Sequence, residues 1–398
     1  MRASPQRRTS FLDAPTSPRN RDAVTLVSLQ KKSVTQILSA TGDELAAEVE
    51  VASPLLDTGS VLLQQMPMCI LVLIVCLVAL QLGGFVTLSI LGIPPRTGAV
   101  FMHLASFLAS VTGVRCAYLL KKALSSQTLL AALCKLDQFV FDLKLEWSTA
   151  SRKEFRVCVA AWILVTALYS GLQGREVWKT GLEELPWPKY VASISLAAVE
   201  AVVFMMSSAL VITTSFIHSN LLLGLDRALD CYCFCVMADM DFEVAVSAWN
   251  SLQALLQCIG REFSDSFFTS QASGGLGFAV VLASGMMLAY QTAFDGSLLA
   301  QELAMALPVL FFLALNLRVF YHASSLTEKC AHIPAFVNQI PTGSSIDLDR
   351  QYLVRFISDS SPGFVVKDLR ISRSMFVKLC IFTGGVLSAL LGVLSRAY

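Results

Sequence analysis

Long apolar runs separated by polar segments dominate the chain. Seven runs reach the roughly 20 mostly apolar residues that a helix needs to cross a bilayer core. The pattern therefore predicts an all-α, polytopic membrane protein with seven transmembrane helices in one domain, residues 61–398. The predicted spans cover residues 62–93, 98–120, 155–173, 190–218, 266–290, 297–323 and 374–394.

The distribution of basic residues predicts the orientation of these spans. Cytoplasmic segments retain lysine and arginine. The N-terminal tail and the second, fourth and sixth loops hold 21 of the 30 Lys and Arg residues, whereas the opposite side holds 5. We therefore expect a cytoplasmic N-terminus, an extracellular C-terminus and a multi-pass protein of the plasma membrane. Residues 1–60 are polar and are predicted to form a disordered cytoplasmic tail.

Two of the cytoplasmic loops carry helical stripes of apolar residues. Such stripes predict long helical extensions below the membrane. Two interpretations remain open, because the stripes can pack within one chain or form a core shared between subunits. The stripes are Leu129, Leu133, Leu136, Val140 and Leu143 in the second loop, and Ala245, Trp249, Leu252, Leu256, Ile259 and Phe263 in the fourth.

Composition and motifs exclude several classes of function. The chain is 55% hydrophobic and 15% charged, and its net charge of +1 gives no basic field for nucleic acid. No catalytic triad, paired-carboxylate motif or nucleotide-binding fingerprint occurs, so we expect no enzyme and no cofactor. Cys231, Cys233 and Cys235 lack further ligands at zinc-site spacing, so no metal is expected, and a reduced, packed or lipid-interface set is favoured.

The seventh span has two distinct faces. Gly384, Ser388 and Gly392 repeat every four residues, a spacing that lets helices approach closely. The neighbouring arc is apolar, and such an arc can face lipid, pack in the core or form the hydrophobic constriction of a pore. Its members are Cys380, Thr383, Leu387, Leu390, Leu391 and Leu394.

The C-terminal third resembles the insect chemoreceptor superfamily, in particular its gustatory receptor-like proteins. That region has a cytoplasmic helix ending in Phe, here Phe356, then a Gly-Phe pair, here Gly363 and Phe364. A short charged stretch and a final span follow, here residues 367–373 and 374–394. The final-span motif of the family is Thr-Tyr, five apolar residues and Gln-Phe. The chain matches its Thr and differs at its Tyr, Gln and Phe positions.

The resemblance implies a homotetrameric, ligand-gated, non-selective cation channel whose seventh span lines the pore. Carried over by position, Thr383, Leu387, Leu390 and Leu391 would line that pore. Leu387 and Leu391 would form the constriction, and Leu390 would replace the glutamine. The implied partners are a lipid bilayer, three further copies of the chain, permeant cations and a small-molecule ligand. A transporter and a non-conducting seven-helix receptor remain the alternatives.

A ligand of such a receptor is expected between spans in the outer half of the membrane. Ionisable residues inside a membrane are costly and are therefore candidates for function. His103, Glu200 and Glu302 fall in outer halves of the predicted spans. The alternative is that Glu200 bonds to a neighbouring helix, Glu302 lies at the outer interface and His103 packs. The residues predicted to add an apolar and aromatic wall are Tyr169, Phe204, Met286 and Tyr290.

Overall fold

The computed structural model describes residues 97–182, 187–238, 241–290, 296–340, 347–360 and 362–396, with a few positions between 72 and 83. The predicted tail, and nearly all of the first predicted span, lie outside the described residues. The described helices are α1 (Thr97–Leu124), α2 (Gln127–Phe139), α3 (Lys144–Leu182), α4 (Trp187–Ala238), α5 (Phe242–Glu262), α6 (Ser264–Tyr290), α7 (Gly296–Gln339), α8 (Leu348–Asp359) and α9 (Arg373–Arg396), with a 3-10 turn at Phe141–Leu143.

Helices account for the spans predicted from residue 98 onward. Helix α1 covers the second predicted span, and α3, α4, α6, α7 and α9 cover the third to the seventh. Within the described residues, five helices are long and apolar enough to cross a membrane. These helical segments are Phe141–Arg175, Tyr190–Ala238, Ser264–Ala283, Ala306–Gln339 and Arg373–Gly392.

Several helices are much longer than a bilayer is thick. Helix α4 has 52 residues and α7 has 44. At about 1.5 Å per residue they are about 78 Å and about 66 Å long, against about 30 Å for a hydrocarbon core. More than half of each helix therefore extends beyond the lipid, as the predicted helical extensions require.

The largest apolar core lies among these extensions. It joins α2, α5 and α8 to the C-terminal halves of α4 and α7. All six members of the fourth-loop stripe are buried there, as are four of the five in the second loop, with Leu143 packed at the edge. The stripes thus pack within one chain, and the first of the two open interpretations accounts for them.

A hairpin of two short strands, each two residues long, joins α8 to α9. Strands β1 (Val365–Val366) and β2 (Leu369–Arg370) pair antiparallel. The turn residues Lys367 and Asp368 both have positive φ, 48° and 64°, which is the geometry of the tight turns that match strand twist. The sequence predicts a charged stretch here, and the two short strands were not predicted. Phe364 anchors the hairpin, because its side chain is buried and its backbone N–H donates to Thr327 Oγ1 at 3.0 Å.

Candidate ligand site and pore helix

A polar cluster joins α1, α3 and α4 inside the helical bundle. The Nδ1 atom of His103 contacts the Glu200 carboxylate, and Gln173 Nε2 donates to the other carboxylate oxygen at 2.7 Å. The same amide group lies 3.2 Å from the Tyr169 hydroxyl, which also bonds to Ser106. Glu200 and Tyr169 are buried. Each helix therefore contributes polar groups that satisfy one another away from water.

An aromatic stack lies directly beside this cluster. The rings of Tyr169 and Phe204 are parallel within 11°, with centroids 3.9 Å apart. Phe312 of α7 meets Phe204 edge to face at 6.0 Å. Aromatic pairs in these arrangements add about 0.5–1.5 kcal/mol beyond the area they bury. The stack gives the polar cluster a rigid apolar side that reaches from α3 to α7.

Four of the seven predicted ligand-site residues meet in this region: His103, Tyr169, Glu200 and Phe204. The interpretation of Glu200 as bonded to neighbouring helices is the geometry found. Met286 is 68% exposed on α6. Tyr290 ends α6 and Glu302 lies in the first turns of α7, and the side chains of both are outside the described part of the chain.

Two residues of the site, Gln173 and Phe312, were not predicted from the sequence. Gln173 was drawn as the last residue of the third span, yet it lies one helical turn after Tyr169 and on the same face. That spacing was a usable signal. Phe312 has no such signal, because its place beside Phe204 depends on how α7 packs against α4.

Two substitutions of Glu200 test how much the polar cluster stabilises the fold. We expect Glu200→Leu to lower the stability of the protein by about 1–3 kcal/mol, because Gln173 and His103 lose a buried acceptor. Glu200→Gln keeps the shape and one carbonyl oxygen, so it should lower stability by less than half of that amount. Thermal unfolding of both variants in detergent measures the difference. Equal losses in the two variants would show that the acceptor oxygen kept by Glu200→Gln does not stabilise the cluster.

Helix α9 is the least covered of the five candidate spans. Only 6% of the residues in its most apolar stretch are buried, against 28–44% in the other four. Its N-terminal end is held by Phe376, which packs on Phe320 and Tyr321 of α7. The remainder presents a broad exposed face that includes the predicted small-residue repeat of Gly384, Ser388 and Gly392.

The predicted pore residues fall on different sides of α9. Thr383 is buried against its own chain, and its hydroxyl donates to the Leu379 carbonyl at 2.9 Å. Leu387 and Leu390 are half-buried, whereas Leu391 is 55% exposed. Of the four residues, Leu391 is the one directed away from the rest of the chain.

The cysteine cluster lies in the extension of α4. Cys231 is buried, and Cys233 and Cys235 are half-buried. They follow His218, the end of the predicted fourth span, by at least 13 residues, which is about 20 Å of helix. Among the described residues, no group of three potential ligands is placed to hold a metal ion.

The helical arrangement is similar to that of an insect olfactory receptor. It resembles the olfactory receptor OR5 of Machilis hrabei, both in its structure with eugenol and in a structure described without it. Each comparison gives a TM-score of 0.54 at 11% sequence identity, and covers 80% of this chain and 88% of the receptor chain. The fold thus confirms the resemblance to insect chemoreceptors first indicated by the C-terminal third. No protein-family model and no curated protein sequence matches the chain.

Proposed function

We propose that the chain is one subunit of a chemosensory, ligand-gated cation channel, of the gustatory receptor-like kind, in the plasma membrane. Four copies would surround a central pore lined by α9, with the N-terminus in the cytoplasm and the C-terminus outside. The observation that carries the proposal is the exposure of α9, which no other candidate span shares. An apolar helix left uncovered by its own chain faces either lipid or other subunits, and the receptor fold favours subunits.

The ligand site proposed for this channel is the region of His103, Tyr169, Glu200 and Phe204 in the outer half of the membrane. It combines an aromatic wall with ionisable groups at one junction of three helices. The related fold of OR5 was determined with eugenol, so a small, mostly apolar molecule is the class of ligand proposed. Met286, Tyr290 and Glu302 would extend the site along α6 and α7.

In the proposed channel, the exposed side of α9 would supply the side chains that line the pore. Leu391 and the small residues of the repeat would face the axis, with Leu387 and Leu390 at the flank and Thr383 turned toward the subunit's own helices. A constriction of leucine side chains gates by excluding water. A non-conducting receptor is the second candidate, because Leu390 stands where the family has a polar glutamine.

Cysteine accessibility tests the pore assignment. In a Cys380→Ser background, we expect a charged methanethiosulfonate reagent to block the current of Leu391→Cys, because that side chain is exposed. The matched control Thr383→Cys should keep its current, because position 383 is 7% exposed. The currents are recorded under voltage clamp, at rest and with eugenol as a trial agonist. If the reagent leaves the current of Leu391→Cys unchanged, α9 does not line the pore. If no variant carries current, the non-conducting receptor is favoured.

A further inference from the structure

A cluster of basic residues precedes the most apolar part of α3. Residues 157–174 hold no Asp, Glu, Lys or Arg. At about 1.5 Å per residue they are about 27 Å long, close to the thickness of a hydrocarbon core. Arg152, Lys153 and Arg156 lie just before this stretch, and Arg175 follows it. The three clustered bases therefore lie at one boundary of the membrane, at the depth of lipid headgroups.

The three basic side chains share one exposed face of the helix. Their spacings of three and four residues keep them within about 100° of one another around α3, and all three are exposed. The Nε atom of Arg156 donates to the Arg152 carbonyl at 3.4 Å. The Arg156 side chain is thus directed back along the helix, away from the apolar stretch, and its charge lies at the level of Arg152.

No acidic residue compensates this face. Glu154 lies on the opposite side of α3, where its side chain is 5% exposed and bonded to Arg318. Glu146, two turns earlier, pairs with Arg227 of α4. Within the described ranges of the chain, no carboxylate forms an ion pair with any of the three bases. The face therefore presents three uncompensated positive charges.

The same face continues into the membrane as an exposed apolar surface. Ala160, Ile163 and Ala167 follow Arg156 at spacings of four, three and four residues, and all three are exposed. Helix α3 packs mainly on α4, whereas α9 packs on α6 and α7, so subunits that meet through α9 would leave this face uncovered. Its occupant must offer negative charge at headgroup depth and apolar surface below it.

We propose that this face of α3 is a binding site for an anionic phospholipid. The headgroup phosphate would lie against Arg152, Lys153 and Arg156, and an acyl chain would lie along Ala160 and Ile163. Arginine binds phosphate through paired N–H donors, and each base near an anionic membrane surface strengthens binding about five-fold. In the proposed orientation of the chain, the site faces the cytoplasmic leaflet, which carries anionic lipid.

The face selects against three other occupants. A zwitterionic lipid brings its own cation close to three uncompensated bases, so it gains less from them. A soluble phosphate pairs with the bases but covers none of the apolar surface beside them. Another spanning helix would leave the bases without partners unless it placed acidic residues at the same depth.

The test compares three soluble probes on the full-length chain in a non-ionic detergent. Dioctanoyl phosphatidylserine has a net negative charge, and dioctanoyl phosphatidylcholine has the same chains without it. Glycerophosphoserine has the anionic headgroup without chains. Microscale thermophoresis at low ionic strength, where charges are least screened, gives the three affinities. We expect phosphatidylserine to bind at least about ten-fold more tightly than either of the other two.

Equal affinities of the two lipids would overturn the proposal, and this is the result expected if another helix covers the face. Glycerophosphoserine binding as tightly as phosphatidylserine would also overturn it, because the apolar surface would then contribute nothing and the site would be one for a soluble anion.

Substitutions place the site on α3. Arg156→Gln should weaken phosphatidylserine binding about five-fold, and Arg156→Gln combined with Arg152→Gln and Lys153→Gln should weaken it at least about thirty-fold. Arg156→Lys keeps the charge and should keep most of the affinity. The matched control Arg175→Gln removes an exposed arginine at the other boundary of the same helix and should change the affinity less than about two-fold. Without lipid, the midpoint of thermal unfolding should be the same in every variant, since no ion pair is lost.

Two results with these variants would contradict the assignment. Equal weakening by Arg156→Gln and Arg175→Gln would mean that any arginine at a membrane boundary attracts the lipid to the same degree. Unchanged affinity in the triple variant would place the lipid elsewhere on the protein. The measurement needs neither current nor four-fold assembly. Failure of the tetrameric channel would therefore leave this test unaffected, and failure here would leave the channel proposal intact.

Discussion

Trp249→Ala should cause one of the largest losses of stability of any single substitution in this chain, about 3–5 kcal/mol. Trp249 is fully buried in the largest apolar core, where it packs against Tyr232 with ring centroids 5.2 Å apart. Its indole N–H also donates to Ser360 at the end of α8, at 3.0 Å. Truncation removes the ring, leaves a cavity among α4, α5 and α8, and deprives Ser360 of its donor.

The chain provides a matched control for this substitution. Trp178 on α3 is 68% exposed, so Trp178→Ala should change stability by no more than about 0.5 kcal/mol. Thermal unfolding followed by circular dichroism in detergent compares the two variants. A similar midpoint for both would mean that the largest apolar core does not hold the fold together.

Arg318→Met should be the second large effect, lowering stability by about 2–3 kcal/mol. The guanidinium of Arg318 on α7 donates to both carboxylate oxygens of Glu154 on α3, at 2.7 and 2.5 Å. The Glu154 side chain is 5% exposed and that of Arg318 is 42% exposed. Removing the arginine leaves a buried carboxylate without a partner, which costs about 3–5 kcal/mol in a fully buried pair and less here.

A double-mutant cycle isolates this pair. Glu154→Gln with Arg318→Met removes the charge and its partner together, so the double variant should regain most of the stability lost in Arg318→Met. The midpoints of thermal unfolding of the three variants and the parent protein close the cycle. Additive losses would show that the two side chains do not stabilise each other.

Strong periodicity made most of the fold predictable from the sequence. The spans beyond residue 98 appear as helices because each is a long apolar run bounded by polar residues. The stripe through Trp249 and Leu252 is buried because its spacing places it on one face of α5. The hairpin was not predictable, since two-residue strands carry no period and the positive φ of Lys367 and Asp368 is set by the turn.

The candidate site was predictable only in part. Glu200 and His103 were found because ionisable side chains are rare within spans, yet nothing local indicates that these two, 97 residues apart, meet each other. Phe312 was not predicted, because its place beside Phe204 depends on how α7 packs against α4.

Which face of α9 is exposed could likewise be determined only from the structure. The sequence predicts two faces on that helix, but it does not say which one the chain covers. In the structure the chain covers Thr383, and leaves Leu391 and the small-residue repeat exposed. In the proposed channel, the part of the leucine arc nearest Leu391 would therefore face the pore axis.

The symmetry of the purified particle tests the central claim most directly. Electron microscopy of the full chain in detergent or nanodiscs should show a four-fold particle, with α9 of each subunit at the axis and the helical extensions on the cytoplasmic side. A monomer, or a dimer without a central axis, would contradict the channel and would favour a transporter or a non-conducting receptor with this fold.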